Sequence, residues 1–165
     1  MGTKVESKVE PKVVHATFVV ERRFAKPASV VFRALSEADM VRRWMTGGSQ
    51  SELFAFRCDF CEGGSQVLKY KMGPETPIAG AVITNEVRFQ QIVAGERIVT
   101  ASTMRMGERI FSASQVTFEL VPDGDGTDLI ITHQGAFFEG SDGPERREHG
   151  WNVLADNLAA VVAEG

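Results

Sequence analysis

The sequence predicts an α+β domain in which one strongly curved antiparallel sheet carries a long C-terminal helix across one face. Two observations lead to this. Strand-like runs follow one another from Leu53 to Gln134 and are separated by short glycine-bearing turns; such turns join antiparallel neighbours, because a parallel crossover needs a dozen residues or more. The segment from Pro144 to Glu164 then carries a single apolar stripe at helical spacing. A single sheet with one long helix on one face is an α+β layering. The 165 residues suit one domain with one core. We read residues 13–165 as that domain. Residues 1–12 are read as a disordered tail, since Lys4, Glu6, Lys8, Glu10 and Lys12 offer no face to bury.

From Val13 to Phe24 the run VVHATFVVERRF reads as a strand, with Ala16, Phe18, Val20 and Phe24 on one face. Pro27 suits the first turn of a helix, where its missing N–H costs nothing. Ala28, Val31, Phe32 and Leu35 follow at helical spacing. Ser36 is read as the cap of a second short helix, with Asp39 three residues on, Val41 and Trp44 on its apolar edge, and Gly47-Gly48-Ser49 ending it.

Leu53 to Phe60 is the next strand, and period two places Phe54, Phe56, Cys58 and Phe60 on one face. After the turn at Gly63-Gly64, strands are expected over Val67–Met72, Ala79–Ile92, Arg97–Met104, Ser112–Val121 and Thr127–Gln134. That makes about seven. Pro122 to Gly126, PDGDG, is a hairpin signal. In the final helix Asp142 and Glu145 resemble a capping box and Pro144 sits in the first turn. Trp151, Leu154, Leu158 and Val161 form the stripe.

Composition narrows the function. The net charge is −4, and no run of Lys and Arg makes a basic face, which excludes a nucleic-acid partner. No apolar stretch reaches the roughly 18 residues of a membrane span, and Met1 to Lys12 is no secretory signal, so the expected compartment is the cytoplasm. Cys58 and Cys61 form one CxxC without a second pair, and His15, His133 and His149 are scattered. A structural zinc site needs four ligands. We therefore expect two reduced structural thiols, no metal and no cofactor. No Gly-x-Ser-x-Gly, P-loop or HExxH signature occurs.

The order of one strand, two short helices, a strand meander and a long helix resembles the helix-grip superfamily, also called START-like, Bet v 1-like or SRPBCC. Glu21-Arg22-Arg23-Phe24, Pro27, Val31-Phe32-Arg33-Ala34-Leu35 and Arg43-Trp44 look like the N-terminal signature of domains similar to the C-terminal half of the heat-shock-protein-90 ATPase activator. Phe56 to Gly64 is similar to that family's Asp-x-x-Pro-Gly-Gly turn, with Glu62 where Pro is usual, and Gly95-Glu96-Arg97-Ile98-Val99 resembles its Pro-x-Glu-Arg-Ile-Val turn. Thr132 to Gly140, Arg147-Glu148-x-Gly150-Trp151 and Leu154-x-x-x-Leu158 look like a bacterial branch labelled polyketide-cyclase-like. The resemblance implies an apolar pocket between sheet and helix. It leaves function open, because the superfamily holds lipid carriers, hormone receptors, cyclases and chaperone partners.

His133 shares a strand face with Leu129 and Ile131 and is expected to point inward. There it serves either as a ligand or proton-transfer group near neutral pH or as a core histidine with a hydrogen bond. Gly150 costs its helix about 1 kcal/mol against alanine, offset either by close helix–sheet packing or by room for a ligand. Tyr70, Arg88, Arg105 and Glu119 are candidate polar pocket groups. The candidate ligand contacts are His133, Tyr70 and Met104 on strands with Phe56 and Phe118, and Trp44, Trp151 and Leu154 on helices. The leading expectation is binding of a small, largely apolar molecule. A cyclase- or aldolase-type enzyme using His133 and a chaperone-partner or stress-response module stand beside it. A homodimer is left open.

Overall fold

The computed structural model describes residues 11–47 and 52–164. Nearly all of the expected tail, and Gly48 and Ser49 of the expected helix stop, lie outside the described residues. The elements are β1 (Val14–Phe24), α1 (Ala28–Ser36), α2 (Ala38–Thr46), β2 (Glu52–Cys58), β3 (Ser65–Lys71), β4 (Val82–Val93), β5 (Arg97–Met106), β6 (Arg109–Asp123), β7 (Gly126–Phe137) and α3 (Pro144–Glu164). The seven strands form one antiparallel sheet in the order β1-β7-β6-β5-β4-β3-β2. This is the α+β helix-grip arrangement that the sequence predicts. Strands β2 to β7 are a meander. The hairpins β5–β6 and β6–β7 turn at Gly107 and Gly124, whose φ values of 61° and 59° suit glycine. β1 lies at one edge and β2 at the other, so α1 and α2 carry the chain across the width of the sheet.

The core lies between the inner face of the sheet and the helices. Phe18, Val20, Phe118 and Ile131 of the sheet pack in one cluster with Val31 and Leu35 of α1, Trp44 of α2, and Leu158 and Val162 of α3. The Trp44 indole donates to the Ala34 carbonyl at 2.9 Å, which locks α2 onto α1. α3 runs close to β1, α1 and α2 but stands off β3, β4 and β5. A straight helix over a curved sheet touches at its flanks and leaves space over the middle.

Four local expectations are corrected. Ser36 does not cap α2: it is the last residue of α1, its hydroxyl donates to the Arg33 carbonyl, and Glu37 holds the cap position with its carboxylate turned to Arg33 and not to the helix N–H groups. Phe54 does not share the inner face with Phe56. A β-bulge between Leu53 and Ala55 inserts one residue, so Leu53 turns inward opposite Tyr70 and Phe54 is 49% exposed. The carboxylate of Asp142, expected to help cap α3, instead takes Arg147 of that helix. The buried face of α3 is broader than the predicted stripe. It comprises Ala155, Leu158, Val161 and Val162 together with the buried Arg147, while Trp151 and Leu154 are half-buried.

Candidate functional site

Where α3 stands off the sheet there is a hollow of about 520 Å³. Its floor follows from strand register. Leu68 of β3 lies opposite Asn85 of β4, and Asn85 lies opposite Met104 of β5, so the three side chains form one row across the inner face. Tyr70 follows two residues along β3, opposite Leu53. Met45 of α2 and Met72 form side walls, and Gly150, Trp151, Val153 and Leu154 of α3 form the roof. Asp142, Arg146 and Arg147 stand at one end. A pocket of about 50 Å³ adjoins the hollow, bordered by the shared residues Met45, Asn85 and Trp151 and closed by Trp44, Phe118 and Phe89.

Arg147 is the most connected polar residue of the site. Its guanidinium makes two 2.8 Å bonds to the Asp142 carboxylate, donates to the Ser112 hydroxyl at 2.9 Å, and lies 5.1 Å from the centre of the Phe137 ring. Such a fork fixes both partners in the plane of the guanidinium. Partial burial works to raise the Asp142 carboxyl, but Arg147 outweighs it and holds the group below its ordinary range. Tyr70 is pushed up to about 12, first by burial, with the nearby Arg147 opposing and Asp142 adding to the rise. It faces the hollow as a neutral phenol.

His133 points inward, as strand parity predicts, and is 1% exposed. It does not line the hollow. It is layered between Phe18, 4.6 Å away and near-parallel, and Phe137, 6.0 Å away, with Trp151 at 6.3 Å separating it from the space. Gly135 makes this packing possible, because a β-carbon there would come within 2.8 Å of both the His133 and Phe137 rings. Burial, and secondarily Arg147, lower its pKa from 6.5 to about 4. A value that low makes the imidazole a weak base, which does not favour proton transfer near neutral pH. Its Nδ1 is buried without a hydrogen-bond partner among the described residues, so the plainer reading of a hydrogen-bonded core histidine is not met at that atom either.

Of the other candidates, Tyr70, Met104, Trp151 and Leu154 surround the hollow, and Trp44 and Phe118 border the smaller pocket. Phe56 packs against the core beside Leu68 and borders neither. Arg88 and Arg105 do not face the hollow: Arg88 is exposed and donates to the Gly63 carbonyl, while Arg105 pairs with Glu86. Glu119 is also exposed. A β-carbon on Gly150 would meet nothing within 4 Å, so its glycine answers to the open space and not to close helix–sheet packing. Cys58 and Cys61 are free thiols, and burial followed by the neighbouring Asp59 pushes both up. Among the described residues no cluster of three His, Cys, Asp or Glu side chains is placed to hold a metal ion, and no helix is long and apolar enough to cross a membrane.

Sequence reasoning passed over Asn85 as a site residue and used Arg147 only within a motif. Signals for both were present. Asn85 has the parity of Val87 and Phe89 on β4, and Arg147 lies one turn before Trp151 on the same helical stripe.

Comparison with known proteins places this geometry. The Mll3558 protein from Rhizobium loti is 39% identical over 90% of this chain and 98% of that chain, with a TM-score of 0.80. A putative uncharacterized protein from Rhizobium leguminosarum is 28% identical over 93% of this chain and 97% of its own, with a TM-score of 0.83. CalU16 from Micromonospora echinospora, at 16% identity, covers 91% of this chain and 85% of its own with a TM-score of 0.59, a likeness of fold. A search of curated proteins finds no match. The family model described as "Activator of Hsp90 ATPase homolog 1-like protein" matches residues 25–163, from the end of β1 through α3, and the chain belongs to that family.

Proposed function

We propose that the protein binds a small, largely apolar molecule in the hollow between α3 and strands β2 to β5. The observation that carries this reading is the space itself. At about 520 Å³ it falls within the usual range for small-molecule sites, and Leu53, Leu68, Met104, Trp151 and Leu154 give it an apolar wall, with polar groups at Tyr70 and Asn85 and charged ones at the Asp142 end. The three methionines Met45, Met72 and Met104 are flexible enough to fit more than one ligand shape. An enzymatic reading through His133 draws no support from the geometry, because that ring does not line the hollow and is stacked between Phe18 and Phe137. A chaperone-facing role rests on the family description and would be tested by a pull-down with Hsp90.

A thermal-shift series with fatty acids, sterols and aromatic polyketides tests the binding reading. A ligand that fits raises the melting temperature in a concentration-dependent way. If no member of the panel does so, and the Trp151→Ala protein loses as much stability as a full core truncation, the hollow is not a ligand site.

A further inference from the structure

We infer that the molecule held in this hollow carries a hydroxyl group that docks on Asn85. The inference rests on the binding reading above and names the chemistry of its ligand. Asn85 lies midway along the floor, in the row Leu68–Asn85–Met104, and borders both the main hollow and the small pocket behind it. Its Oδ1 is inaccessible to solvent and has no hydrogen-bond partner among the described residues. Asn85 is half-buried, but a buried carbonyl oxygen left in this state is costly, and native structures resolve it with water or with a ligand. Nothing in the fold explains an amide between a leucine and a methionine, where a third apolar side chain would pack at least as well. The neighbouring polar groups on the same face are Tyr70, whose side chain lines the hollow, and Gln66 and Ser102, which border the small pocket.

The class of ligand follows from what these two groups can accept and give. An asparagine amide offers one accepting and one donating end, and its orientation is interchangeable in outline. A hydroxyl both donates and accepts, so it satisfies the amide in either orientation. A carboxylate only accepts, so it could take the amide N–H but never satisfy Oδ1; the guanidiniums of Arg146 and Arg147 stand at the Asp142 end of the hollow, and Arg147 already holds Asp142 and Ser112. The occupant is therefore an alcohol, phenol or enol with an apolar body, its hydroxyl turned to the floor and its body beneath Trp151 and Leu154.

The test uses the full chain and two probes of matched shape, 2-naphthol and 2-methylnaphthalene, titrated by isothermal calorimetry against the wild type and the Asn85→Leu variant. The wild type should favour 2-naphthol by about tenfold, the effect of one well-made buried hydrogen bond. Asn85→Leu should erase that preference while binding 2-methylnaphthalene at least as well. Because no group among the described residues depends on the amide, the variant should also melt no lower than the wild type. If Asn85→Leu does not fold, Asn85→Ala provides the same comparison. Equal affinities in the wild type, or a preference that survives the substitution, overturn the assignment of Asn85 and leave the hollow as an apolar binding site. If neither probe binds any form, the binding reading falls and this inference with it.

Discussion

Phe18 and His133 face each other across the β1–β7 ladder with ring centroids 4.6 Å apart and planes 6° from parallel. The imidazole in this stack is cut off from water, and its charged form is correspondingly disfavoured. Burial and Arg147 bring its pKa from 6.5 to about 4. The unfolded chain therefore binds more protons than the folded one between those values, and stability must fall as pH drops through that window. The contribution is on the order of 3 kcal/mol. Urea denaturation at pH 7 and pH 4.5 should show a larger loss for the wild type than for His133→Phe, which keeps the aromatic layer and cannot titrate. Equal losses would locate the acid sensitivity elsewhere.

Arg147→Met should destabilise the fold by about 1–3 kcal/mol, the range for a buried polar group left without its partner. The variant leaves the hydroxyl of Ser112, 1% exposed, without its donor. The cost stays below that of breaking a fully buried pair, because the Asp142 side chain is 31% exposed and its carboxylate can reach water. Chemical denaturation measures the loss. An NMR titration should find Asp142 moved upward from its depressed position.

Gly150→Ala should stabilise the protein. A methyl group at this position meets nothing within 4 Å, so the helix keeps the full propensity gain of about 1 kcal/mol. For a chain of this size that is a rise in melting temperature of about 2–4 °C. A fall would show that α3 approaches the floor more closely than the hollow allows.

Trp151→Ala should cost about 1–2 kcal/mol on area grounds, less than the roughly 3–5 kcal/mol of a fully packed aromatic. The indole is half-buried and edge-on to Phe118 at 5.9 Å, with the hollow on its other side. Affinity for any ligand found in the thermal-shift series should fall in the same variant. A core-sized loss with unchanged affinity would make Trp151 a structural residue.

The meander was legible because its turns are written in local chemistry, as at PDGDG and Gly107, and α3 because Leu158 and Val161 continue a helical period from Trp151. Phe54 was misplaced because period two counts residues and a bulge adds one. Asn85 and Arg147 were missed because a polar side chain is exposed by default, and only the assembled sheet and helix show what they face. The hollow is a property of distance between α3 and β3 to β5, which no single segment encodes.

The position of β1 has a consequence for how the chain acquires its structure. Every ladder but one joins strands that are neighbours in sequence, whereas Phe24 must find Thr127 and Val14 must find Phe137. Closing a loop of roughly a hundred residues carries an entropic cost that short hairpins avoid, and such non-local pairing slows folding. Strands β2 to β7 can assemble by successive hairpins, but the β7 edge stays open, and Phe18 cannot cover His133, until the first strand made arrives to join the last.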